Sequence, residues 1–228
     1  MSDQVGAGLR ERKKLKTRAT LVAVAAELCQ RQGFDNTTVE QIAVAADVSP
    51  RTFSRYFPTK ADVVAALAED MDGYVAEALR RQPGGITAHE ALLRAHLEIF
   101  APRRGHESPA FTRMAVLISI VNGATSMSIS PFTFKQRHAG ASVEVLAERL
   151  GVRAGDPAVG LVADIWTLLF SSSFAGLGLP GHPPINSGIL CERLSATFER
   201  FRRSWEPTPQ ATQHPARDVA PHASGPQR

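Results

Sequence analysis

The sequence predicts an all-helical protein, and three observations carry that reading. Apolar residues recur every three or four positions along most of the chain, without the sustained alternation a half-buried strand needs. Capping residues repeatedly stand directly before proline, at Ser49-Pro50, Ser108-Pro109, Ser130-Pro131 and Asp156-Pro157. There a side-chain oxygen can cover free N–H groups while proline presets a helical φ. Threonine three residues ahead of an acid adds capping boxes at Thr37…Glu40, Thr59…Asp62 and Thr87…Glu90.

Taken in order, these starts place helices over about 9–32, 38–45, 49–55, 60–81, 88–101, 108–122, 131–150, 157–177 and 187–205. The first buries Leu21, Val22, Ala25, Leu28 and Cys29, exposes a basic run from Arg10 to Arg18, and stops at Gly33, with Phe34 folding back as a plug. The second is short and turns Val39, Ile42, Ala43 and Ala46 inward; its small alanines allow close approach of a crossing helix. A tight turn at Ala46-Asp47-Val48-Ser49 leads to a third helix of about two turns, halted by Pro58. Two short helices joined so tightly form a helix-turn-helix, whose second helix enters the DNA major groove. In that helix Phe53, with Tyr56 or Phe57, faces inward, which leaves Arg51, Thr52, Ser54 and Arg55 outward.

Charge supports a polyanionic partner for one end of the molecule. Residues 1–60 hold 10 Lys/Arg against 6 Asp/Glu, and residues 61–228 hold 16 of each, so the whole excess of +4 lies in the first quarter. A composition of 43% apolar and 21% charged residues fits a folded chain. Two cysteines, Cys29 and Cys191, are too few for a disulfide framework and read as small core residues. The uncharged apolar run MAVLISIV (114–121) is far shorter than a span of about 20 residues. A cytoplasmic chain with no membrane partner is therefore expected. No HExxH, nucleophile elbow or phosphate loop occurs, and the seven histidines are scattered, so an enzyme, a metal site and a cofactor are not expected.

The stretch GFDNTTVEQIAVAADVSPRTFSRYFPTKADVV (33–64) resembles the DNA-binding signature of TetR/AcrR-family bacterial repressors. Gly33-Phe34, Thr37-Thr38-Val39, Ile42-Ala43, Ala46, Val48-Ser49, Thr52-Phe53, Tyr56-Phe57 and Lys60 fall in register, over about 50 residues. Asp47 departs from the glycine common at the turn, and Ser54 from a frequent aromatic. The resemblance implies that Thr38, Thr52, Tyr56 and Lys60 touch backbone phosphates. Arg51 and Arg55, with Ser54 as a further candidate, are expected at base edges. Lys13, Lys14 and Arg18 would add attraction as part of a basic arm.

It also implies that residues 61–205 bind a ligand and dimerise, after a DNA-binding domain over 1–60 and ahead of a disordered, proline-rich 206–228. LVADIWTLLF (161–170) is apolar nearly all round, and the last helix carries a stripe; Leu161, Ile165, Leu168, Leu190, Leu194, Phe198, Phe201 and Trp205 are thus expected between two subunits. Asp164 inside that run needs a partner, with Arg193 or Arg200 in view. A twin subunit would present two reading helices to a palindromic operator. Pocket candidates are Met71, Tyr74, His96, Phe100, Phe111 and Met114 in the earlier helices. Ile118, Asn122, Met127, Phe132, Trp166 and Phe170 extend the set. The effector stays open: Arg113, Arg137 and ERLGV faintly resemble branches with acyl-CoA-like ligands, and a bulky lipophilic or aromatic molecule is the other reading. A regulator whose second part only dimerises, without a ligand, is the alternative.

Overall fold

The computed structural model describes residues 2–102, 104–125 and 140–204. Among these, nine helices follow one another: α1 (Ser2–Gln32), α2 (Val39–Ala45), α3 (Pro50–Tyr56), α4 (Lys60–Arg80), α5 (Ala88–Phe100), α6 (Pro109–Gly123), α7 (Ala141–Leu150), α8 (Pro157–Phe174) and α9 (Ser187–Ser204). Met127, Phe132, Trp205, the Ser130-Pro131 cap and the 206–228 tail lie outside the described residues.

The caps explain the boundaries. Ser49, Ser108 and Asp156 each accept a backbone N–H of their own helix, with proline directly after. Thr59 and Asp62 close a reciprocal box at the start of α4. At α2 the box sits one residue later than Thr37…Glu40: Thr38 caps, and its partner is Gln41. The reason is that Thr37 is buried and its hydroxyl donates back to the Gly33 carbonyl at 2.8 Å. Gly33 closes α1 at φ 83°, its N–H on the Cys29 carbonyl at 2.9 Å. The basic run is helical from Ser2, and the apolar face that follows it is buried at Leu21, Val22, Ala25, Leu28 and Cys29. Burial raises the Cys29 thiol pKa, in keeping with a core residue.

One apolar core runs from α1 through α9. Helix α4 packs on α1 at one end and on α5, α6 and α7 further along, so it belongs to both parts of the molecule. At α7, Gly140 offers no capping side chain. Asp72 of α4 supplies the cap instead, accepting from Ala141 N at 2.7 Å and Ser142 N at 3.2 Å and pairing with the Ser142 hydroxyl. A Cβ on Gly140 would meet Asp72 Oδ2 at 2.7 Å, so glycine is what lets the two chains approach. Helix α8 is the one described helix long and apolar enough to cross a membrane, a feature the shorter 114–121 run does not show. It packs on α5, α7 and α9.

Candidate DNA-reading face and ligand cavity

The reading helix α3 is short and pinned. Asp47 takes the left-handed turn at φ 53°, as a short polar side chain can. Val48 follows, its N–H on the Ala43 carbonyl at 2.9 Å. Phe53 and Phe57 are buried with ring centroids 6.0 Å apart, so Phe57 rather than Tyr56 is the second anchor. On the far side Arg51, Thr52, Ser54 and Arg55 rim one shallow depression. Ser54 donates to the Pro50 carbonyl at 3.1 Å and so presents acceptor lone pairs outward. The Arg55 guanidinium lies 5.4 Å from the centre of the Tyr56 ring, which steadies it.

The remaining polar candidates divide. Thr38 is exposed, and its oxygen accepts Gln41 N at 3.2 Å, which leaves its hydroxyl proton free to donate. Lys13 and Lys14 are exposed on α1, Lys14 paired loosely with Glu11 at 3.8 Å. Lys60 is engaged within the fold: its ammonium donates to the Phe34 and Thr37 carbonyls at 2.6 Å each and lies 4.1 Å from the Phe34 ring centre. Arg18 pairs with Glu69 of α4 and lies over the Phe57 ring. Both hold the first three helices onto α4.

Behind the reader, helices α4, α5, α6, α7 and α8 enclose a cavity of about 240 Å³. Met71, His96, Met114, Trp166 and Phe170 line it, as expected from sequence. Sequence reasoning missed Asp72, Ser142, Asp164, Thr167 and Ser171, which are the polar part of the wall. The signal for three of them was present: Ala163, Thr167, Phe170 and Phe174 recur at helical spacing along α8 with Trp166. The other pocket candidates are placed elsewhere. Phe100, Phe111 and Ile118 are core, the first two with ring centres 6.0 Å apart. Tyr74 is exposed and accepts from Arg113 at 2.8 Å. Asn122 donates to the Phe174 and Leu177 carbonyls at 2.8 and 2.9 Å, tying α6 to the end of α8.

His96 sits at the centre of the wall. Its Nδ1 lies 2.8 Å from the Leu92 carbonyl and its Nε2 3.4 Å from Trp166 Nε1, so Nδ1 donates and Nε2 accepts. Complete burial lowers its pKa to about 4, and the neutral ring is held.

The profile of the bacterial regulatory proteins of the tetR family matches residues 21–67, from the buried face of α1 into α4. The HTH-type transcriptional regulator TcmR of Streptomyces glaucescens is 42% identical over 87 residues, 38% of each chain. The chain belongs to the TetR family. Its helix-turn-helix is accordingly the DNA-binding unit of a bacterial transcriptional regulator. The crystal structure of Thermus thermophilus FadR, a TetR-family transcriptional repressor in complex with lauroyl-CoA, aligns over 90% of this chain and all of that one, with a TM-score of 0.51 and 21% identity. That likeness extends the TetR-family fold into the helices after α4.

Within this TetR-family fold, α8 presents two faces. One lines the cavity, and the other exposes Leu161 and Leu168, 61% and 50% accessible, with Ile165 between them. The α9 stripe does not join that outer face as expected. Leu190, Leu194 and Phe198 are buried in the chain's own core, because α9 turns them onto α8 and α5. Phe201, partly buried, packs edge-on against His89 at 5.7 Å. Arg193 donates to the Ala175 carbonyl at 2.9 Å.

Proposed function

We propose that this TetR-family chain is a repressor that binds a palindromic operator as a homodimer and leaves it when a small hydrophobic effector enters the cavity. The observation that carries the reading is α4. Its first residues, Thr59 and Lys60, are locked to the reader, while Ala68, Met71, Asp72 and Val75 of the same helix wall the cavity. A change in the wall and a change in reader position are therefore movements of one helix. Ligand and operator then weaken each other's binding by the same factor.

A second route runs through α6, which lines the cavity at Met114, Leu117 and Val121. Just past its end, Thr125 donates to Asp35 in the α1–α2 turn, from N at 2.8 Å and from the hydroxyl at 2.7 Å. Asp35→Ala should cut the factor by which effector weakens operator binding about fivefold, on the usual worth of one or two exposed hydrogen bonds. Titrating operator with and without effector reads it; an unchanged factor removes α6 from the coupling.

The exposed Leu161–Leu168 face of α8 supports pairing with a second copy, which would set two reading helices about 34–36 Å apart. The functional division near residue 60 falls at the start of α4, and the place of work is the bacterial cytoplasm, where the operator is. A purely dimerising second part would leave the cavity without a use. Footprinting the purified protein on its own upstream DNA tests the reading. Two protected half-sites related by a dyad are expected, and a single undivided site would overturn the dimeric mode. On that operator Arg55→Ala should lose about 1–3 kcal/mol and relax preference at one base pair, with little effect on random DNA. Equal losses on both in a gel shift would demote Arg55 to a phosphate contact.

A further inference from the structure

The cavity's chemistry points to the charge of its ligand. Its aromatic side is built from His96, Trp166 and Phe170, with ring centres 4.9 Å (His96–Trp166), 5.2 Å (His96–Phe170) and 6.5 Å (Trp166–Phe170) apart. The Trp166–His96 and His96–Leu92 hydrogen bonds consume the polar atoms of that cluster, which leaves ring faces to line the space. Its charged side is made of carboxylates alone: Asp72 and Asp164 are in the wall, and no lysine or arginine is among the described lining residues. Asp72 is held in place by the α7 N-terminus, so its charge cannot swing away. With His96 neutral, no cation stands among those lining residues.

We infer that the cavity takes a lipophilic cation, an aromatic or polycyclic amine, and rejects carboxylates and acyl phosphates. This rests on the reading of the cavity as the effector site. A cation gains on both sides of such a space, from the quadrupoles of the rings and from the carboxylates at reduced dielectric. An anion would shed its water to face ring faces and like charge, with nothing in the described wall to compensate. The FadR fold bound to lauroyl-CoA is shared in outline, and the ligand class differs.

Calorimetry on the full chain with four probes decides it: 2-naphthylmethylamine, 2-naphthylmethanol, 2-naphthoate and lauroyl-CoA, at low salt. The amine should bind about tenfold tighter than the alcohol, the increment of one partly desolvated charge contact. The naphthoate and lauroyl-CoA should not bind measurably. Asp164→Asn should bring amine and alcohol to within about threefold of each other. In the unaltered protein the amine's advantage should vanish as pH passes the amine's own pKa, a check that needs no variant to fold. If amine and alcohol bind equally, or an anion binds best, the charge inference fails while the cavity remains the effector site. If none of the probes binds or shifts the melting temperature, the effector reading fails with it.

Discussion

Phe53→Ala should remove about 3–5 kcal/mol of stability and abolish operator binding, because the ring is fully buried where a two-turn helix has little else to hold it. Helix α3 is anchored by Phe53 and Phe57 together, with half-buried Val48 at its entrance. Deleting the first ring leaves a cavity that only Ile42, Ala43 and the neighbouring α1 face could close, and the alanines are too small to do so. Against a total stability of roughly 5–15 kcal/mol, this is a large fraction. Chemical denaturation gives the loss, and a gel shift gives the consequence. A variant that loses less than about 1 kcal/mol and still reads its operator would show that the ring does not set the helix.

Acidification should destabilise the chain between pH 6.5 and about 4 through His96. The unfolded chain takes up a proton near the ordinary histidine value of 6.5, while the buried ring resists protonation until about 4. The stability contributed by the neutral ring is therefore complete above 6.5 and is lost as pH falls through that window, by roughly 3 kcal/mol in all. His89, half-buried, has its pKa lowered by burial and adds loss of the same sign. Urea midpoints measured across this range, for the natural chain and for His96→Gln, isolate the effect. The variant should show the shallower acid limb by about one proton, and parallel limbs would mean His96 is not held neutral.

The reader was legible because its signals are local. Ser49-Pro50 starts α3 and Pro58 closes the stretch beyond it, and the spacing of Phe53 and Phe57 fixes which side faces out. The slip of one residue at α2 arose because Thr37 and Thr38 have equal claim to a cap, and only the turn back to Gly33 tells them apart. Lys60 fits a phosphate contact in the family signature, yet its partners here are two carbonyls from Phe34 and Thr37, far back in the chain. The α9 stripe was misassigned for a related reason. Leu190, Leu194 and Phe198 announce that a face is covered, and spacing carries no information on whether a subunit or the same chain covers it. Asp72 was invisible for want of any local pattern: an acid inside α4 becomes the cap of α7 only when the fold brings Gly140 beside it.

That borrowed cap makes α4 a lever with a known arm. Asp72 lies twelve residues beyond Lys60 in one unbroken helix, which is about 18 Å at 1.5 Å per residue. With its far end fastened to α7 and its near end fastened to the α1–α2 turn, a tilt of about 5° around Asp72 carries the reader about 1.6 Å. In a two-fold pair the two displacements add, so the spacing between readers changes by up to about 3 Å while no wall atom need travel far. A few degrees of wedge at the cavity is thus geometrically enough to put the pair out of step with the turn of the DNA.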